Sequence, residues 1–234
     1  MNRKALIVRG GWDGHEPELV SERMNKALQN EGFDVEISDT LDIYLDVEHL
    51  LTKDLIVSLW TMGTITKEQC NGVMEAIEKG VGLAGSHGGM CDSYRENVDW
   101  QFMTGGQWVA HPGGEVDYEV NIKWSTSPIT YGLKDYKIHS EQYYVQVDPC
   151  IEVLATTNFP NHPGPYTSNR FVTVPITWTK RWGKGRVFYT SMGHHDNVFD
   201  IPEAMTMMVR GMLWAADGKK VADENSEFSL YENK

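Results

Sequence analysis

Residues 81 to 90 read Val-Gly-Leu-Ala-Gly-Ser-His-Gly-Gly-Met, and no other stretch limits the fold as tightly. A short apolar run there ends in Gly85-Ser86-His87-Gly88-Gly89, the G-x-(nucleophile)-x-G spacing of a nucleophile elbow. In such an elbow a sharp strand-to-helix turn lifts one side chain above the carboxyl edge of an α/β sheet. The flanking glycines are needed because a Cβ would clash in the turn. Here the lifted residue is His87, where a hydrolase carries Ser or Cys. An α/β scaffold is therefore expected, with His87 projecting into the principal pocket.

The first half of the chain alternates strands and helices around that point. Short apolar runs predict strands over 4–9, 34–38, 54–59 and 81–85. A helix is expected over 17–30, with Pro17 at its first position and Val20, Met24, Ala27 and Leu28 on one face. Thr66-x-x-Gln69 has the spacing of a capping box for a helix whose inner face is Cys70, Val73, Met74 and Ile77. Strands joined through amphipathic helices imply right-handed crossovers and a parallel sheet with helices on both faces.

The second half is richer in strands, expected at 116–122, 142–147, 151–156, 172–180 and 186–191. Trp182-Gly183-Lys184-Gly185 reads as a tight turn between the last two, not a phosphate loop, because no helix follows it. A final helix begins near Asp200 and Pro202, with Met205, Met208, Val209, Met212 and Leu213 as its buried stripe. Residues 1–218 are expected to form one domain, followed by a polar, frayed tail over 219–234.

Composition narrows the function. A net charge of −12 argues against nucleic acid and against an anionic membrane surface as partners. Three cysteines without C-x-x-C spacing fit free thiols in a reducing cytoplasm. The apolar run after the N-terminus is too short for a signal-peptide core, so a cytoplasmic location is expected.

Ligands of an open parallel sheet bind beyond the carboxyl ends of its strands. Trp12 and His15 follow the first strand, Trp60 the third, His87 the fourth, and His194-His195-Asp196 the last. His15, Glu141 and one of His194 and His195 are accordingly expected within about a side-chain length of the space above His87. A metal-free cluster is the leading reading of these residues, and the alternative is a zinc-type divalent site, for which the set His15, His87, His195 (or His194) and Glu141 has the imidazole-plus-carboxylate character. Gly10, Gly11 and Gly14 do not match G-x-G-x-x-G, so no nucleotide cofactor is expected.

Several ordered motifs carry a family resemblance. Leu83-Ala84-Gly85-Ser86-His87, Gly105-Gly106-Gln107-Trp108-x-x-His111-Pro112 and Glu141-Gln142-Tyr143 resemble the ThuA-like (trehalose utilisation) family. Gly183-Lys184-Gly185-Arg186-Val187-Phe188-Tyr189, Gly193-His194 and Gly211-x-x-Trp214-Ala215 extend the likeness to residues 4–216. The resemblance implies a flavodoxin-like fold similar to class I glutamine amidotransferases. In that larger group the elbow carries Cys, and a His followed by an acidic residue comes after a late strand. By position, His87 takes the Cys place, and His194, His195 and Asp196 take the His-acid place.

That exchange removes the nucleophile for glutamine acyl transfer, and Cys91, beyond the elbow, reads as a small buried hydrophobe. The resemblance implies a carbohydrate-catabolism enzyme acting on a disaccharide, glycoside or 3-keto-sugar. His87, Glu141, His194, His195 and Asp196 are the expected catalytic groups. Trp12, His15, Trp60, Trp108, His111 and Tyr143 are the expected substrate contacts. A non-catalytic sugar-binding or regulatory module, a partner subunit serving assembly alone, and a homo-oligomeric state stay open at this point.

Overall fold

The computed structural model describes residues 2–123, 127–168 and 170–224. Strand β1 (Arg3–Gly11) runs through the fully buried Ala5-Leu6-Ile7-Val8, because both its faces are covered. It leads through a short 3-10 turn (Asp13–His15) into α1 (Pro17–Asn30) and β2 (Phe33–Ser38). A second 3-10 turn and α2 (Val47–Leu51) precede β3 (Leu55–Thr61). Helix α3 (Lys67–Glu78) opens with the expected capping box, Thr66 and Gln69 each satisfying the other's backbone N–H. Strand β4 (Gly82–Ser86) ends at the elbow, followed by α4 (Gly88–Cys91) and α5 (Val98–Thr104).

The remainder comprises β5 (Gly106–Ala110), β6 (Glu115–Ile122), β7 (Tyr136–Glu141), β8 (Tyr144–Val147), β9 (Glu152–Phe159), β10 (Val172–Trp182), β11 (Gly185–Thr190) and α6 (Pro202–Glu224). One nine-stranded sheet has the order β2-β1-β3-β4-β11-β10-β9-β6-β7, and β5 pairs separately with β8. The first five are parallel, in the flavodoxin-like order. From β10 onward neighbours pair antiparallel, so the expected parallel sheet is only half of the structure.

Two apolar clusters cover the two faces. One holds Met24 and Leu28 of α1 and Met207, Met208 and Met212 of α6; the other holds Cys70, Val73 and Ile77 of α3 and Trp100 of α5. The buried stripe of α6 is Ala204, Met207, Met208, Gly211, Met212 and Ala215, whereas Met205, Val209 and Leu213 are only partly buried. The expected stripe is thus corrected by a rotation about the helix axis. Gly211 decides the rotation: a Cβ there would lie 2.3 Å from the Phe188 ring, so this face alone can approach β11 so closely.

Two further expectations change. The strand expected at 142–147 is shortened to β8, since Gln142 and Tyr143 form a break, and β7 before that break is a strand not expected from the sequence. Residues 219–224 continue α6 instead of fraying, carried by Lys219–Asp223 pairing and by burial of Ala222; the rest of the expected tail, 225–234, lies outside the described residues. Among the described residues no helix is long and apolar enough to cross a membrane.

The attachment of β6 and β7 matters most for the site. Among the described residues, strand β6 is in register with β9 through Asn121–Thr156 and Ile122–Ala155, and Lys123 N–H is donated to Leu154 O just beyond. Beyond those pairs side chains bridge the two segments, Thr157 Oγ1 donating to Glu119 O and Asn161 Nδ2 to Asp117 O, and the far end of the β6–β7 ribbon carries the cross-strand pair Glu115–Glu141.

Candidate active site

The elbow has the geometry that its glycines require. His87 adopts φ 50°, ψ −128°, a left-handed-side conformation that a non-glycine residue holds only when its surroundings enforce it. Its N–H is donated to Thr190 O at 2.7 Å, and its carbonyl accepts the Tyr189 hydroxyl at 3.0 Å. A Cβ on Gly88 would come within 2.5 Å of His15 Nδ1, so the glycine is what lets His15 pack against the elbow. The His15 and His87 rings then meet edge-on with centroids 4.5 Å apart.

Glu141, at the end of β7, points its carboxylate into this group. Its Oε2 lies 3.1 Å from His87 Nε2, 3.2 Å from His194 Nδ1 and 3.7 Å from His15 Nε2. Its Oε1 lies 3.1 Å from His111 Nδ1. His15, His87, His194 and Glu141 are all buried, whereas His111 is 40% exposed at the mouth. Three of the four buried residues follow parallel strands β1, β4 and β11; the carboxylate alone arrives on the antiparallel ribbon.

Other side chains hold the imidazoles in place. His87 Nδ1 lies 2.7 Å from Ser191 O, and Tyr143 stacks on the ring with centroids 4.1 Å apart. His15 Nδ1 meets Thr61 Oγ1 at 2.9 Å, and the indole of Trp12 packs edge-on against His15. Burial drives the His87 pKa down to about 4, outweighing the opposing pull of Glu141. For Glu141 burial acts to raise the pKa, but the histidines around it win and hold the carboxyl well below the usual range. The site at neutral pH is an anionic carboxylate among imidazoles.

Several expected residues fall elsewhere. Asp196 receives a bidentate grip from Arg23, Nε to Oδ1 at 2.6 Å and Nη2 to Oδ2 at 2.5 Å, which ties the post-β11 turn to α1. That corrects its catalytic assignment: the guanidinium holds it against α1, outside the group formed by Glu141 and the histidines. His195 turns away from Glu141 toward Glu16 (3.5 Å) and Glu115 (3.7 Å), so His194 takes its place in the four-residue donor set. Tyr143 is buried beneath His87 and shapes the ring, which corrects its reading as a substrate contact.

The remaining aromatics divide between two places. Trp12 is 45% exposed beside His15, and Trp108 sits near His111 with Arg95 stacked on it at 4.4 Å. Trp60 instead lines a depression of about 620 Å³ with Arg9, Gly10, Gly11, Asp13, Glu16 and Asp39. His87 does not line that depression. A void of about 10 Å³ bordered by Val20, Leu59, Thr61, Ser86, His87 and Gly193 lies against the elbow without reaching Glu141, and it is too small for a ligand. Cys91 is buried, and burial pushes its thiol pKa up, so no thiolate is supplied there.

Sequence reasoning misses Thr61, Ser191 and Glu115. Thr61 and Ser191 do lie at strand ends, where the carboxyl-edge rule could have found them. Glu115 enters only through its register with Glu141, which no short-range signal reveals.

A family model described as trehalose utilisation, ThuA, matches residues 4–215. The chain belongs to the ThuA (trehalose utilisation) family. Among solved structures it is similar to a protein described as ThuA-like from Bacteroides uniformis, at 19% identity and TM-score 0.72, covering 91% of each chain. A ThuA-like protein from Parabacteroides merdae gives 18% identity and TM-score 0.73 over 94% of this chain and 91% of that one. A cytoplasmic protein from Salmonella typhimurium gives 13% identity and TM-score 0.63 over 91% and 99%. These likenesses establish the flavodoxin-like, amidotransferase-like fold of the ThuA chain. No curated protein matches it.

Proposed function

We propose that this ThuA-family chain is a cytoplasmic enzyme of carbohydrate catabolism that transfers a proton next to a carbonyl on a sugar or keto-glycoside. The carrying observation is one buried carboxylate, kept anionic, with imidazoles at both of its oxygens at the carboxyl edge of the sheet. A ketone acidifies its neighbouring C–H bonds, and isomerisation or elimination then needs a base on one side and charge stabilisation at the carbonyl oxygen on the other.

The two oxygens of Glu141 suit that division. On the Oε1 side, His111 is half-exposed and can reach a ligand entering past Trp12 and Trp108, which makes His111–Glu141 the proton-transfer pair. On the Oε2 side, His15, His87 and His194 line the place from which the carbonyl oxygen would be polarised. The exposed indole of Trp12 offers a flat apolar face for a sugar ring. Acyl transfer is disfavoured because the elbow carries imidazole and the nearby thiol stays protonated.

The test is a screen of purified protein against trehalose, 3-keto-trehalose and related glycosides, with Glu141→Gln and His111→Ala alongside. Turnover of a keto-glycoside that falls in both variants supports the reading. Binding of the sugars with no turnover by the wild-type protein would replace it with a non-catalytic sugar-binding module.

A further inference from the structure

We infer that His15 Nε2, His87 Nε2, His194 Nδ1 and one oxygen of Glu141 form a binding centre for one divalent transition-metal cation of the zinc type. This centre deepens the proposed function and rests on its reading of the cluster as the working site.

Proton accounting at His87 is the first indication. Its ring has an acceptor at each nitrogen: Ser191 O at 2.7 Å from Nδ1 and Glu141 Oε2 at 3.1 Å from Nε2. A neutral imidazole carries one N–H. The shorter, backbone contact takes it, so Nε2 turns a lone pair toward a carboxylate lone pair in a buried setting. Such an acceptor–acceptor contact costs free energy unless positive charge lies between the two atoms. A cation there converts the conflict into two ligand bonds.

His194 repeats the pattern independently. Its ring is buried, and among the described residues Nδ1 has no hydrogen-bond partner, although Glu141 Oε2 is only 3.2 Å away. Distance therefore allows a hydrogen bond to that oxygen, but direction does not. A lone pair aimed beside the oxygen rather than at it is the arrangement that a shared cation requires. The opposite nitrogen, Nε2, faces Glu115 at 3.9 Å.

Spacing agrees with the same occupant. Tetrahedral coordination at about 2.0–2.1 Å places neighbouring donor atoms roughly 3.3–3.4 Å apart. The three imidazole nitrogens lie 3.1, 3.2 and 3.7 Å from Glu141 Oε2, bracketing that edge. All four donor atoms fall within 4.8 Å of one another. Metal-bound imidazoles usually engage their second nitrogen with a carbonyl, carboxylate or hydroxyl, which fixes the tautomer. Here Ser191 O serves His87, Thr61 Oγ1 serves His15 and Glu115 flanks His194. Nitrogen-rich donors with one carboxylate favour zinc, cobalt or nickel over magnesium or calcium. Glu141 Oε1 is left facing His111.

The test uses the full chain stripped with a chelator and then titrated with Co²⁺, whose visible bands report coordination, and with Zn²⁺ in competition. The expected result is one equivalent per chain, loss of binding in His194→Ala and Glu141→Gln, and no change in Asp196→Asn. Thr61→Val, which keeps every ligand but frees the His15 ring, should weaken affinity by about 10–100-fold. Circular dichroism checks that each variant is folded. No cobalt bands in folded wild-type protein, or binding unchanged in both ligand variants, would overturn the inference. So would two N–H protons on His87 in ¹⁵N spectra of protein saturated with Zn²⁺, because the ring would then be paired with Glu141 as an imidazolium. Sugar turnover without metal binding would remove the cation and leave the proposed function standing; metal binding without turnover of any sugar would do the reverse.

Discussion

The two halves of the sheet contribute to the site in different ways. The parallel half brings His15, His87 and His194 to one edge by topology alone, since each lies just past the carboxyl end of β1, β4 or β11. The antiparallel half contributes Glu141 from its outermost strand, on a ribbon whose backbone register with β9 spans two residue pairs. The imidazole wall is therefore a property of the scaffold, whereas the carboxylate is a separate piece brought to it. A similar divergence separates two late residues: His194 stays at the edge, while Asp196, two positions on, is drawn to α1 by Arg23.

Kinetics should show most clearly whether the two halves act as one unit. Glu141→Gln should lower turnover of the cognate sugar by about 10²–10⁴-fold, as should His87→Ala. Because the groups share one oxygen, the double variant should be little worse than either single. Multiplicative losses in steady-state kinetics would show that ribbon and wall work independently.

The halves should also differ in local stability. The ribbon's amides should exchange with solvent at least about tenfold faster than those of β1, β3 and β4, since few sheet bonds oppose local opening. Native-state hydrogen exchange measures this directly. Equal protection would mean that the packing of Tyr118, Tyr136 and Ile138 anchors the ribbon as firmly as a central strand.

A third expectation concerns pH in the antiparallel half. Lys180 of β10, itself buried, meets Asp148 Oδ2 at 2.8 Å and holds that carboxyl below its ordinary pKa. A depressed folded pKa means that its contribution is complete above the unfolded value, near 4, and fades as pH falls through the lower folded value. Wild type and Asp148→Asn should therefore differ most at neutral pH and converge in acid. Denaturant titrations at several pH values check this; a gap that widens in acid would contradict it.

The mildest outcome separates Asp196 from the catalytic group. Asp196→Asn should leave turnover within about twofold and cost about 1 kcal/mol of stability, because its partly exposed pair with Arg23 is structural. A hundredfold kinetic loss in a folded variant would return Asp196 to the site.

Much is legible where local rules operate. The elbow glycines and the strand ends place His15, His87 and one of His194 and His195 together without any long-range information, because a parallel sheet gathers the residues just past its strands on one edge. Periodicity misplaces the stripe of α6, since it sets a period while the ring of Phe188 against Gly211 sets the phase. His195 and Asp196 resemble site residues in sequence, yet neighbours along the chain leave a turn in different directions.

Short-range pattern and steric necessity at glycine were enough to dictate the α/β class, the strand–helix alternation of the first half and the imidazoles of the carboxyl edge, while the flavodoxin-like order was implied by the family resemblance. Long-range packing alone settled that β7 ends before Gln142, that His194 rather than His195 faces Glu141, and that Arg23 draws Asp196 away from the histidines. Strand register and ribbon path depend on contacts between residues dozens of positions apart, and side chains at such separations leave no periodic trace in the chain.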